Sequence, residues 1–466
     1  MSFALTNNLL PGKVFLTSRA KLEKRWDPNY YRWMKVFRAK VKNCPHPVER
    51  LKPSLGLVQY GISERATEEP VGVPMLRMIN LQADTWDISD MKYIAMSDED
   101  KKHYLLKQGD ILFNRTNSKE LVGKCCVFNL PGEYVFASYL IRVRLKQRGL
   151  LPDYVTAYLA SPVGRVQIDA VSRQIAGMTN INAEEIRDLF IPVPDRTIQD
   201  EVASSWRKAI LRRDAMFAEA RAVLAQIDEV LLDELGIKRQ PDRPQTIGSR
   251  IFRRAFSDVS GGRLDPIANQ ERRRRLERAI QSSRYPVKHL REAVRVEKKV
   301  VDSISPGDTY IGLENINGET GELILTAERE SVGTALVFKP GQILFPKLRP
   351  YLNKTHLAAT GGICSTEFHV FTVLDGDPEY LMTVLRSSVS VGITSLLMTG
   401  NTLPRLQMAD IERLPIPIPP GPVQERICKR VAAIREKAAH TRAKALAELE
   451  AARKAIENLI LGSATA

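Results

Sequence analysis

Cysteine and histidine are scarce in this chain of 466 residues, which has five Cys (Cys44, Cys125, Cys126, Cys364, Cys428) and six His (His46, His103, His289, His356, His369, His440). No two cysteines form a C-x-x-C pair and the histidines keep no ligand spacing, so neither a disulfide framework nor a metal site is expected. The adjacent Cys125-Cys126 pair reads as small apolar core residues. An odd set of unpaired thiols is the pattern of a reduced, cytoplasmic protein. No apolar run approaches the roughly 18 residues that a membrane span requires, so no membrane association is expected. Met1 to Leu16 lacks the basic-then-apolar order of a secretory leader. The chain also lacks G-x-G-x-x-G and G-x-x-x-x-G-K-S/T, the glycine-rich loops that cradle phosphates, so no nucleotide chemistry and no cofactor of its own are expected.

Positive charge is plentiful. Lys and Arg total 69 against 54 Asp and Glu, a formal net charge of +15, and such a balance favours polyanionic partners, nucleic acid first. The charge is uneven. The first 50 residues are rich in Lys and Arg, opposed only by Glu23, Asp27 and Glu49, and a second cluster runs from Arg250 through Arg253-Arg254 to Arg272-Arg273-Arg274-Arg275. Either cluster alone is as well read as a solvated face. Both, however, occupy the same place in an internal repeat. Arg25-Trp-Asp27-Pro28 returns as Arg263-Leu-Asp265-Pro266, Gly109-Asp-Ile-Leu-Phe113 as Gly341-Gln-Ile-Leu-Phe345, and Ile191-Pro-Val-Pro194 with Gln199 as Ile416-Pro-Ile-Pro419 with Gln424. The order is kept and the spacing is roughly 230 residues, too long for a solenoid or propeller repeat. A whole unit has been duplicated.

Each unit opens with a basic helical lead (29–42 and 269–282). Short strands follow at 73–79, 110–113, 134–136 and 141–145 in the first unit, and at 309–313, 342–345 and 368–373 in the second. A short helix is predicted at 153–160 and again at 378–385. Each unit closes with a proline-punctuated strand and a long helix. The first long helix is predicted from about Thr197 to Leu235, ending at Gly236, and the second from about Val423 to Leu461, ending at Gly462. Met216, Ala220, Val223, Ile227 and Val230 step alternately by four and three. So do Ile427, Val431, Ile434 and Ala438 and, after a slip near Thr441, Leu449, Ala452, Ile456 and Leu459. This is the seam of a helix pair. The expected fold is therefore α+β: two similar globular domains separated by two long, antiparallel, coiled-coil-like spacer helices. The boundaries are 1–195 for the first domain, 196–237 for the first helix, 238–420 for the linker and second domain, and 421–466 for the second helix. Two linked readers on one chain suit a bipartite site on double-stranded DNA, since linkage raises effective concentration.

The stretch Gly109-Asp-Ile-Leu-Phe-Asn-Arg-Thr-Asn-Ser-Lys-Glu-Leu-Val-Gly123-Lys resembles a motif of the specificity subunits of type I restriction–modification systems. So does Gln174-Ile-Ala-Gly-Met-Thr-Asn-Ile-Asn182 followed by Ile191-Pro-Val-Pro194 and Gln199, and the second unit repeats the set at Gly341–Phe345, Gly400-Asn-Thr402, Ile416–Pro419 and Gln424. It departs at Pro346-Lys-Leu-Arg-Pro-Tyr351, where the first unit has Asn114-Arg-Thr-Asn-Ser-Lys119. The resemblance implies two target recognition domains and a non-catalytic DNA reader. It also implies two copies of a methyltransferase (M) subunit that binds S-adenosylmethionine and methylates adenine in each half-site, with motor and nuclease (R) subunits able to join.

Candidate DNA contacts follow from chemistry and position. Arg115, Asn117, Ser118, Lys119 and Lys124 crowd one polar loop, and Arg173, Gln174, Thr179, Asn180 and Asn182 form a second stretch in the same domain. The second domain offers Lys347, Arg349, Tyr351 and Lys354, then Asn401, Thr402 and Arg405. Arg and Asn read guanine and adenine edges bidentately, whereas Lys and Ser more often hold phosphate. Asn180 and Thr402 equally suit turns or caps. Two other readings stay open: a specificity subunit of another methylation-linked defence system, and a nucleic-acid enzyme. For the enzyme, Asp27-Pro-Asn-Tyr30 lacks the second proline of an adenine-methyltransferase motif. Asp90-Met-Lys92 and Glu297-Lys-Lys299 are acid-x-Lys triplets without a nuclease partner.

Overall fold

The repeated motifs of the sequence become repeated strand pairings. A computed structural model describes residues 26–82, 84–117, 121–147, 149–175, 178–238, 251–255, 263–302, 309–324, 333–400 and 403–462. It divides into two compact units, Met1–Met216 with Ala443–Ala466, and Phe217–Arg442. Helix and strand are mixed in both.

In the first unit, helix Pro28–Val41 precedes a four-stranded sheet in the order Leu55–Tyr60, Leu140–Leu145, Ile111–Asn114, Cys125–Val127. In the second, helix Glu271–Gln281 precedes the order Val294–Glu297, Phe368–Val373, Ile343–Pro346, His356–Leu357. All these pairings are antiparallel. A further sheet in each unit contains one parallel pair, Met75 with Val135 in the first and Tyr310 with Ile363 in the second. The proline-punctuated segments also answer one another: Val48–Arg50 pairs with Phe190–Pro192, and Val287–His289 with Pro415–Pro417.

Side chains repeat with the backbone. Tyr154 is buried on helix Pro152–Ala160 and donates its hydroxyl to the Pro192 carbonyl at 2.8 Å; Tyr380, buried on helix Pro378–Arg386, donates to the Pro417 carbonyl at 2.8 Å. The Gln199 amide donates to Pro194 O (3.0 Å) and accepts from Leu151 N (2.9 Å), while Gln424 donates to Pro419 O (2.8 Å) and accepts from Asp377 N (2.7 Å). Each glutamine thus ties the carbonyl that precedes a long helix to the N–H that precedes a short one, satisfying both.

The long helices run Arg196–Leu235 and Gly421–Leu461. The first has no internal Gly or Pro and the second has Pro only in its first turn, where its missing N–H costs nothing. Gly236 and Gly462 end them at φ 71° and 66°, a left-handed conformation that carries no steric penalty in glycine. Within the first unit, Arg212 pairs with Glu448 at 2.7 Å. Within the second, Ala220 and Val223 pack on Ala438, and Glu234 pairs with Arg426 and Arg430 at 3.0 and 2.7 Å. In the second unit the two helical segments therefore run antiparallel. The expected seam is displaced at two places. Leu231 is buried where Val230 is only half-buried, and Ile460 is buried beside the exposed Leu459. There the helices join the sheet-and-helix core of a unit as well as each other: Leu231 and Leu235 sit with Tyr380 and Ile416, and Leu449, Ile456 and Ile460 with Tyr154 and Ile191. Each such fully buried aliphatic side chain contributes roughly 1.5–3 kcal/mol.

Candidate nucleic-acid interface

Both units bring the same two loops together through one backbone clasp. In the first, Arg115 follows strand Ile111–Asn114; its N–H donates to Tyr139 O at 3.1 Å and its carbonyl accepts from Ile181 N at 2.9 Å. In the second, Lys347 follows strand Ile343–Pro346; its N–H donates to Glu367 O and its carbonyl accepts from Leu406 N, both at 2.8 Å. The segment after the central strand is thereby joined to the segment before the last short helix. These are the two polar stretches that the sequence singles out in each domain.

The side chains at the clasp differ. In the first unit the Arg115 guanidinium lies 5.0 Å from the centre of the Tyr60 ring, and the Tyr60 hydroxyl accepts from Ala183 N at 3.0 Å. The Arg115 guanidinium is thus held by its face on Tyr60 and by a bond from Nη1 to Ser138 O at 3.4 Å, while its Nε is buried with no partner. Thr116–Asn117 pairs with Thr179–Asn180, extended by Arg173–Ile175. Thr179 is buried, and Thr116 Oγ1 donates to Asn180 Oδ1 at 2.6 Å. Asn182 caps helix Ala183–Arg187 in a reciprocal box with Glu185, both bonds 2.9 Å. Arg173 is exposed and pairs with Glu185 at 3.1 Å. Asn180 and Asn182 are therefore committed to local structure, whereas Arg115 and Arg173 present cationic groups. Asn117 and Gln174 are placed by their backbones; Ser118 and Lys119 lie outside the described residues.

In the second unit Lys347 is half-buried and donates to Thr366 O at 2.7 Å. Burial, and then the like charge of Arg405, hold its ammonium below the usual lysine range. Arg405 grips Glu367 through Nη2 at 2.8 Å and Nε at 3.0 Å, which draws that carboxyl down. Arg349 is exposed at φ 48°, and Tyr351 beside it is 46% exposed. Lys354 donates to Leu313 O at 2.8 Å. Asn401, Thr402 and, in the basic linker, Arg250 lie outside the described residues. Burial pushes His369, packed against this loop pair, down to about 4, with Lys347 adding to the shift.

Sequence reasoning missed Tyr60, the exposed Tyr139 and Glu367. Tyr60 and Tyr139 are distant from Arg115 along the chain and reach it only through strand pairing, and Glu367 was outside the polar stretches. The acid-x-Lys triplets take ordinary partners: Asp90 pairs with Arg77 at 2.9 Å, and Glu297 pairs with Arg295 at 3.1 Å and accepts from Thr372 Oγ1 at 2.6 Å. Cys125 and Cys126 are buried, and burial raises both thiols well above their ordinary value.

Fold and site together define a duplicated α+β protein, each unit of which carries a clasped pair of polar loops and one end of each long helix. The chain is similar in sequence to specificity subunits of type I restriction enzymes. It is 27% identical over 199 residues to the EcoKI specificity subunit of Escherichia coli K12, covering 42% of this chain and 40% of that one. It is 31% identical over 94 residues to the EcoDI specificity subunit of Escherichia coli, covering 20% and 21%. The matches thus span less than half the length of these curated relatives. Among solved structures, the HsdS subunit of Thermoanaerobacter tengcongensis aligns with a TM-score of 0.32 at 15% identity over 89% of this chain and 96% of that one. The S subunit of M. genitalium aligns with a TM-score of 0.36 at 12% identity over 91% and 98%. No protein-family model matches the chain.

Proposed function

We propose that the chain is the sequence-specific DNA-binding specificity subunit of a type I restriction–modification complex. In this reading residues 1–195 and 238–420 are target recognition domains, and 196–237 and 421–466 are conserved helices. Each domain reads one half of a bipartite, asymmetric target. The chain is itself non-catalytic. It directs adenine methylation by two methyltransferase subunits, which supply the S-adenosylmethionine site, and restriction by motor and nuclease subunits that join them.

The observation that carries the reading is the clasp. Duplication has kept its backbone bonds and changed its side chains, Arg115 in one unit and Lys347 in the other. A guanidinium offers a planar fork suited to guanine O6 and N7, whereas an ammonium is a point charge suited to phosphate. Two units that share a scaffold and differ at the loops are suited to different half-sites. The sequence similarity to type I specificity subunits agrees with this assignment.

Base-modification mapping of the host genome, with and without the gene, tests it. The expected result is loss of methyladenine at one split, asymmetric motif when the gene is removed. An unchanged methylome in a strain that expresses the chain and its methyltransferase would overturn the proposal.

A further inference from the structure

The first unit holds a cleft of about 350 Å³ that contains Lys124, one of the cations the sequence offers as a DNA contact. Its walls are the turn Gly123–Cys125, the junction of helices Pro152–Ala160 and Pro162–Val171, and Trp206, Glu450 and Arg453 from the long helices. Three cations line it: Lys124, Arg165 and Arg453. Arg165 is paired with Asp169 at 3.1 Å and Arg453 with Glu450 at 3.3 Å, but the Arg453 Nε is buried without a partner. Lys124 is half-buried, and its ammonium has no hydrogen bond or ion pair among the described residues. Burial first, then the like charges of Arg213, Arg453 and Arg165, lower its proton affinity.

The matching cleft of the second unit shows what a self-sufficient version looks like. There Arg386 is half-buried, and both terminal nitrogens of its guanidinium are taken up by the carbonyls of Asn353 (2.5 Å), Thr355 (3.1 Å), Gly318 (2.9 Å) and Glu319 (3.0 Å). The helix position of Arg386 is taken in the first unit by Ala160. A half-buried ammonium facing like charges is unfavourable unless a counter-charge completes it. The chain's own acids in the cleft supply little: Glu450 is engaged by Arg453, and Asp84, bonded by the Trp206 indole, has its carboxyl pushed up to about 7, chiefly by burial.

We infer that the first-unit cleft is an anion site that takes a phosphoryl group, with Lys124 as its central ligand and Arg453 and Arg165 flanking it. Arginine forks and a lysine point charge together suit a tetrahedral oxyanion. The phosphoryl group comes either from the DNA backbone or from a free phosphate ester, and the two sources separate experimentally.

Sulfate, titrated calorimetrically into the full chain at constant ionic strength, is the probe. Binding is expected to weaken at least about tenfold in Lys124→Met and in Arg453→Met, and to survive in Lys124→Arg. The Met variants keep an unbranched apolar stem while removing the charge, and two of them guard against one failing to fold. In a second arm the salt dependence of binding to an unrelated DNA duplex is measured. A slope of log K against log salt that falls by about 1 in Lys124→Met assigns the site to a DNA phosphate, and an unchanged slope assigns it to a free ester. Sulfate binding that is absent in the wild-type chain, or equal in the wild-type chain and both Met variants, overturns the inference. The sulfate arm contains no nucleic acid, so its failure is distinguishable from failure of the DNA-reading role.

Discussion

The duplication supplies its own control for a buried ion pair. At the start of the central strand of the first unit, Asp110 is 1% exposed and accepts from Arg144 Nε at 2.5 Å, Arg144 Nη2 at 2.6 Å and Lys107 N at 2.9 Å. At the matching place in the second unit, Gln342 accepts from Lys339 N at 2.7 Å and donates to Thr372 Oγ1 at 2.7 Å. One scaffold thus carries a charged pair in one copy and a neutral pair in the other. Removing one partner of a buried pair costs about 3–5 kcal/mol, because the remaining charge stays desolvated. Arg142 Nη1 remains 3.9 Å from Asp110 Oδ2, so Arg144→Thr is expected at the lower end, about 3 kcal/mol. The double variant Asp110→Gln/Arg144→Thr installs the neutral pair of the other unit and should recover at least about 2 kcal/mol of that loss. Urea unfolding of the full chain, followed on the transition of the first unit, measures both. At roughly 2–4 °C per kcal/mol for a unit of this size, the single variant should lower its melting point by about 6–12 °C. A single variant costing less than about 1 kcal/mol, or a double variant as unstable as the two singles summed, would falsify the reasoning.

Three further outcomes follow. Asp84 titrates near 7 in the folded chain against 3.8 for the free side chain. The unfolded chain therefore ionises first as pH rises, and stability is lost between those two values and stays lost above 7; Asp84→Asn, which can still accept from Trp206, should raise the melting temperature at pH 8 and leave it nearly unchanged at pH 4. Tyr380→Phe strands the buried Pro417 carbonyl and should cost about 1–3 kcal/mol in denaturant unfolding, with Tyr154→Phe costing the same in the other unit, and a cost near zero in both would show that these hydroxyls do not hold the strand ends. Arg115→Ala should cost about 1–3 kcal/mol in target binding and relax the modified motif at one position; an equal loss across all sequences would make Arg115 a phosphate contact instead.

Much of the fold was legible because it follows from local rules. The long helices were bounded to within two residues, since uninterrupted helix formers and a terminal glycine signal the same ends twice. The duplication was legible because its motifs are structural: Gln199 and Gln424 bind the carbonyls just before the long helices, and the Ile-Pro-x-Pro segments form the strand pairs beside them. Helices Pro162–Val171 and Ser388–Leu396 were not foreseen. Their sequences, PVGRVQIDAV and SVSVGITSL, are β-branched and glycine-bearing, and they are helical because Ser161 and Ser387 cap them and their apolar faces are buried in the unit cores. The two polar stretches of each unit were found by composition, but what joins them was not. Tyr60 and Glu367 reach the clasp through tertiary contact, and no periodicity announces that.

The same comparison indicates where divergence has been tolerated. Residues that satisfy buried backbone groups, such as Tyr154 and Tyr380 or Gln199 and Gln424, are identical between the copies, and their bond lengths agree within a few tenths of an ångström. A change there would leave a buried carbonyl or N–H unpaired, at about 1–3 kcal/mol, a sizeable fraction of the roughly 5–15 kcal/mol by which a domain is folded. Residues at the clasp and in the clefts differ in kind: Arg115 against Lys347, Ala160 against Arg386. These side chains face loops and clefts, where a substitution changes what can be bound before it changes whether the unit folds. Freedom confined to such positions allows two copies of one scaffold to acquire different ligands, and under the proposed function it places the search for base-reading residues on the loops the clasp joins rather than on the strands that carry them.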